Sequence, residues 1–168
     1  MKSRLIVRSG TIAVLVTLAS LFAQAQWPAS DAGAAAPPGS ALSIPQAQLV
    51  QPDALNRVLH AAGPGKPLVL QVGSHVLFAE AHIPGAEYAG PGSQPAGLQL
   101  LQSRVASLPR TKFIVLYCGC CPWERCPNVA PASTKLRDMG FTNVKVLYLP
   151  ENFGVNWVNK GYPVEQGR

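Results

Sequence analysis

The run Phe113-Ile114-Val115-Leu116-Tyr117 passes directly into Cys118-Gly119-Cys120-Cys121-Pro122-Trp123-Glu124-Arg125-Cys126-Pro127, and this junction constrains the fold more than any other stretch. A run of β-branched and aromatic residues with no polar face reads as a strand buried on both sides, as in a parallel sheet. Beyond the cysteines, Val129, Ala132, Leu136 and Met139 fall at helical spacing within residues 128–139. Strand, loop and helix in that order put all four cysteines at the carboxyl edge of a sheet, where open α/β sheets place their ligands. Backbone amides at the start of the helix favour an anion or a thiolate there.

The rest of the chain continues the alternation. Residues 48–51 read as a short strand, and Pro52 suits the first turn of a helix whose apolar face is Leu55, Val58 and Leu59. Gly63-Pro64-Gly65 ends it. Residues 67–72 form a second buried strand, stopped by Gly73-Ser74. A helical turn over 76–80 precedes Ala81-His82-Ile83-Pro84-Gly85-Ala86 and a Gly/Pro-rich loop over 90–97. Leu98, Leu101, Val105 and Leu108 mark another helix. Gly140 suits a helix stop, residues 144–149 form a last strand, and Phe153, Trp157 and Val158 suggest a short final helix. Strands alternating with helices predict a mainly parallel α/β sheet in which 68–72, 113–117 and 144–149 pair in parallel.

The first residues carry an address. Lys2, Arg4 and Arg8 form a basic head, 12–22 is apolar, and Ala23-Gln24-Ala25 is a small-x-small cleavage site. This is the order of a signal peptide over 1–25. Its apolar run is short for a span of about 20 residues, so no stable membrane span is expected after removal. Residues 26–43, rich in Ala, Pro, Gly and Ser, read as a flexible leader. The domain follows over 44–168, and a periplasmic or secreted location is expected. The net charge of +6 comes from 14 basic and 8 acidic residues. Three of the basic residues lie in the leader peptide and the others are scattered, so a nucleic-acid or anionic-membrane partner is not expected.

In an oxidising compartment an even cysteine count usually suggests structural disulfides. These four lie within nine positions, however, and would close only small rings that restrict the unfolded chain little. Clustering points to sulfur chemistry, a redox-labile disulfide or a metal. As thiolates, Cys118, Cys120, Cys121 and Cys126 suit Cu(I) or Zn(II), although no nearby histidine completes the set and the spacing is not the paired Cys-x2-Cys of structural zinc. His82 reads as a structural histidine of the Ile-Pro-Gly turn, and Phe153 and Trp157 as core. Trp123 either lines a substrate mouth or covers the loop.

Several of these pieces come in a recognisable order: His82-Ile83-Pro84-Gly85-Ala86, the strand ending Tyr117-Cys118, Leu136 with Gly140-Phe141 and Asn143-Val144, and Trp157 with Gly161-Tyr162-Pro163-Val164. Together they resemble the rhodanese (sulfurtransferase) family over residues 44–164. The resemblance implies an α/β, rhodanese-like open sheet of about five mainly parallel strands with helices on both faces. It implies a loop cysteine that carries sulfane sulfur as a persulfide without a cofactor, between a small sulfur donor and a thiol acceptor.

Cys118, at the strand exit, is then the expected catalytic residue, with Arg125 and the loop amides holding an anionic donor. Cys120, Cys121 and Cys126 are resolving or auxiliary thiols, and Gly119, Trp123 and Glu124 belong to the substrate loop. The sequence departs from the family in three places. Gln71-Val72-Gly73 replaces an acidic residue and an arginine, Cys120 competes with Cys118 because Arg125 follows it at Cys-x4-Arg spacing, and the loop is about five residues longer. Soft-metal binding, a non-catalytic interaction module and a thiol-disulfide redox protein are the alternatives.

Overall fold

The apolar runs assemble side by side. The computed structural model describes residues 40–63 and 65–167. Its strands are β1 (Leu49–Val50), β2 (Leu68–Gln71), β3 (Glu87–Tyr88), β4 (Ile114–Tyr117) and β5 (Val144–Leu147). They form one five-stranded sheet in the order β1-β5-β4-β2-β3, with every pair parallel. β4 is central: Leu116 sits opposite Leu70 on one side and Val146 on the other. The expected parallel pairing of the three long runs therefore holds. The two-residue strand β3 has no hydrophobic pattern and was not expected; Ala89 N–H donating to Gln71 O fixes the segment alongside β2.

The helices are α1 (Pro52–His60), α2 (His75–Glu80), α3 (Pro95–Val105), α4 (Val129–Asp138) and α5 (Phe153–Asn156). Because side chains alternate along a strand, β4 divides its residues between two cores. Ile114 and Leu116 pack with Leu101, Val105, Ala132 and Leu136 of α3 and α4. Val115 and Tyr117 pack with Leu55, Phe78 and Phe153 of α1, α2 and α5, and with Trp157. Of the face expected on α1, Leu55 is buried and Leu59 partly buried against the same core, but Val58 is exposed.

Helix α2 leaves β2 towards one face, and α4 leaves the neighbouring β4 towards the other. That divergence opens a crevice at the carboxyl edge, the usual ligand position in open α/β sheets. His82 belongs to the framework: its Nδ1 lies 2.8 Å from Phe78 O, and its ring stacks on Phe78 at 4.0 Å.

The ordered domain begins earlier than expected. Ala41–Ser43 forms a 3-10 turn, and Ala41 is fully buried against the α4-side core. These last positions of the stretch read as leader therefore belong to the folded body. The signal peptide expected over 1–25 and the leader expected up to residue 39 lie outside the described residues. Among the described residues, no helix is long and apolar enough to cross a membrane.

Candidate functional site

Cys118 follows β4, and the pleat turns its side chain towards the α4-side core, leaving it 4% exposed. The neighbouring strand holds its backbone. Gln71 Nε2 donates to Cys118 O at 3.2 Å, and Gln71 Oε1 accepts from Gly73 N–H at 3.0 Å. One buried amide thus ties together the exits of β2 and β4. A Cβ on residue 73 would lie 2.8 Å from Cys118 Sγ, so only glycine leaves room for the sulfur. Gln71-Val72-Gly73, which stands where the family has an acid and an arginine, positions Cys118.

Gly119 then turns the chain at φ +74°, a left-handed conformation that glycine adopts freely. Its carbonyl accepts from Phe153 N–H at 3.0 Å, which pins the loop to α5. The turn brings Cys120 Sγ to 3.0 Å from Cys118 Sγ, and Cys121 Sγ lies 3.5 Å from Cys120 Sγ. Cys126, buried behind the 3-10 turn Trp123–Arg125, lines the same small void as Cys118. All four cysteines are free.

The protons of this cluster are shared. The Cys118 thiol lowers half-buried Cys120 to about 6, with smaller contributions from Cys121, the Cys120 amide and Asn128 outweighing burial. Cys126 is lowered to about 7, again chiefly by Cys118 and then by the Asn128 and Val129 amides. Cys118 is raised, first by its bond to Cys120, then by Cys126 and by burial. Cys121 is pushed up to about 12, mainly by burial. Cys118 has one proton to donate, so the cluster shares a thiolate between Cys120 and Cys126 while the proton stays on Cys118. The amides at the start of α4, expected to face the mouth of the loop, serve Cys126 instead.

Sequence reasoning missed Asn128. It is buried, and its Nδ2 donates to Cys118 Sγ at 3.3 Å and approaches Cys120 Sγ at 3.9 Å. Its Oδ1 accepts from Ser93 N–H at 3.0 Å, which anchors the side chain to the Gly/Pro-rich loop. An Asn before a helix usually reads as a cap, and nothing in the sequence distinguishes a cap from a thiolate donor.

Two expectations follow. Alkylation of Cys120 by iodoacetamide should be half-maximal near pH 6, far below the 9.0 of an ordinary thiol, and should fall off in more acidic buffer as the thiolate takes up its proton. Asn128→Leu should raise that midpoint modestly, because its amide, 3.9 Å from Cys120 Sγ, is the smallest of the groups that lower Cys120. An unchanged midpoint would show that Asn128 does not act on the thiolate.

The crevice holds a cavity of about 300 Å³ whose wall includes Cys118, Gly119 and Cys120, with Gln71 on one side and Phe153 on another. The structure thus gathers three of the expected residues around one space. It leaves the others out. Arg125 is exposed and outside the cavity wall, because the 3-10 turn points it away from Cys120 despite the expected spacing. Glu124 is exposed beside a separate groove with Tyr148. Trp123 is buried edge-on to Tyr148 at 5.1 Å, and its backbone N–H donates to Pro150 O at 3.0 Å, so it covers the loop and stays outside the wall of this cavity. Cys121 and Cys126 face a small void behind the loop with Trp123 and Val129. Although the sulfurs crowd together, among the described residues no group of three or more His, Cys, Asp or Glu side chains is arranged to hold a metal ion.

No protein-family model and no curated protein matches the chain. Solved structures do. A rhodanese-like domain from Anabaena sp. is 22% identical with a TM-score of 0.52, over 71% of this chain and 79% of that chain. A protein of Bacillus halodurans is 24% identical with a TM-score of 0.54, over 70% of this chain and 75% of that chain. The enzyme EanB, in a structure with a cysteine persulfide in a tetrahedral intermediate state with ergothioneine, is 22% identical with a TM-score of 0.51; the match covers 70% of this chain but 27% of that chain. These likenesses establish the fold, which is rhodanese-like.

Proposed function

From a rhodanese-like fold whose central strand ends in two cavity-lining thiols, we propose that this protein is a sulfurtransferase that carries sulfane sulfur as a persulfide on the Cys118–Cys120 pair. The observation that carries the reading is the 3.0 Å approach of Cys118 Sγ and Cys120 Sγ on the wall of the crevice cavity. Cys120 is the attacking thiolate, because it is ionised near neutral pH and less buried than Cys118. This departs from the expectation drawn from strand position. The end of β4 holds Cys118 rigidly, but burial and its two thiol neighbours keep it protonated.

In the first step the Cys120 thiolate attacks the outer sulfur of a donor R–S–SH. The donor S–S bond breaks, RS⁻ leaves, and Cys120–S–SH remains. An acceptor thiolate then attacks the same outer sulfur and carries it away, which restores the Cys120 thiolate. If no acceptor arrives, Cys118 attacks the inner sulfur and its proton passes to the departing sulfide, forming a Cys118–Cys120 disulfide and releasing hydrogen sulfide. Intact-mass measurement on reduced protein treated with an organic hydropersulfide, R–S–SH, tests loading. The expected result is a gain of one sulfur atom that a thiol reductant removes; no gain with any sulfane donor would sink the proposal.

The same sulfur–sulfur approach favours one second reading, a thiol-disulfide redox protein cycling between the Cys118–Cys120 dithiol and its disulfide. In that case oxidation forms this disulfide readily while sulfane donors leave no added sulfur.

The protein is also proposed to act outside the cytoplasm, on the strength of the basic head and Ala23-Gln24-Ala25. N-terminal sequencing of protein from the cell envelope should begin at Gln26. A start at Met1 or Lys2 on cytosolic protein would contradict export.

A further inference from the structure

We infer that the cavity receives an uncharged or cationic organic sulfane-sulfur donor and disfavours small inorganic dianions. The inference builds on the sulfurtransferase reading and adds the class of donor. Three observations carry it. First, the wall contains no Lys, Arg or His among the described residues; its one charged side chain is the Glu80 carboxylate at the end of α2. Second, the arginine of the cysteine loop and the amides at the start of α4 face elsewhere. Arg125 lies outside the wall, and the Asn128 and Val129 amides serve Cys126, which faces the void behind the loop. Third, Leu77, Phe153 and Val158 give the cavity an apolar side, and Leu77 and Val158 are 40% and 37% exposed.

An approaching dianion would meet two like charges, the Cys120 thiolate and Glu80, with no cation to offset them. Like-charge approach in a partly enclosed site is penalised more than in open water. An ammonium-bearing or neutral donor meets attraction or no penalty, and its organic body covers the apolar side. A cavity of about 300 Å³ also suits a small organic molecule.

The test uses the reduced full-length chain and two thiol reagents of matched reaction and opposite charge. These are 2-ammonioethyl methanethiosulfonate and 2-sulfonatoethyl methanethiosulfonate. Rates are read at Cys120 by peptide mass and divided by the rates of the same reagents with a small free thiol in the same buffer. The cation should be favoured by about tenfold over its advantage on the free thiol. Glu80→Gln should reduce that preference several-fold, and Glu80→Lys should reverse it. A normalised ratio near one, or a preference for the anion, would overturn the inference.

Sulfur loading supplies the second arm. An organic hydropersulfide should load sulfur faster than thiosulfate, and faster loading from thiosulfate would overturn the inference. If no donor loads sulfur, the sulfurtransferase reading falls, while the reagent ratio still decides the charge preference of the cavity.

Discussion

Cys120→Ser is expected to lower persulfide formation on the reduced protein by on the order of 1,000-fold, because an unactivated serine hydroxyl is a poor nucleophile near neutral pH. The substitution removes little else. Cys120 is half-buried on a loop already shaped by the Gly119 turn and its bond to Phe153, so the fold should persist. Cys118→Ser should behave differently. It removes the main group that lowers Cys120, so loading should continue while its pH midpoint rises. It should also slow sulfide release from the loaded protein, since the thiol at 3.0 Å is gone and the remaining neighbour, Cys121, stands at 3.5 Å. Loading rates followed by intact mass across pH separate the two variants. If Cys118→Ser loses loading and Cys120→Ser keeps it, the roles are reversed and the rigid strand-end thiol is the nucleophile.

The second large effect is on stability. Trp157 is fully buried, stacks on Phe153 with ring centroids 6.1 Å apart and packs against Tyr162 at 5.0 Å. Its Nε1 donates to Pro163 O at 2.8 Å. Trp157→Ala removes a whole ring system and leaves a void beneath α5, which should cost about 3–5 kcal/mol in urea unfolding. Because Phe153 pins Gly119, the same variant should loosen the cysteine loop, visible as faster alkylation of buried Cys126 under native conditions. Trp157→Phe keeps an aromatic ring in place and should lose less. A cost below about 1 kcal/mol for Trp157→Ala would show that this cluster does not anchor α5.

The parts of the fold legible in the sequence are those where burial leaves a pattern. The apolar runs that become β2, β4 and β5 lie inside the sheet with both faces covered, so their composition alone marks them. Strand β3 and the Ala41–Ser43 turn carry no such pattern. Backbone pairing with β2 makes the first, and the burial of one small side chain makes the second. The position of the cysteine loop at the sheet edge was legible for the same reason as β4.

The roles inside the loop were less so. The spacing from Cys120 to Arg125 suggests an anion cradle, yet a 3-10 turn within the loop sends Arg125 outward. Nor does sequence spacing tell which of two thiols two residues apart keeps its proton, because that depends on burial and on groups distant in the chain. Asn128 is anchored by Ser93, and Gln71 reaches across from another strand. Both act through contacts that only the folded sheet creates.

The central claim is that sulfane sulfur is held at the cavity, and locating the added sulfur tests it most directly. Reduced full-length protein is treated with an organic hydropersulfide, alkylated to trap the persulfide, digested and mapped by mass at the peptide level. The account predicts one extra sulfur on Cys120, with Cys118, Cys121 and Cys126 carrying none. Added sulfur on Cys121 or Cys126, which face the void behind the loop, would contradict it, as would its absence from all four cysteines.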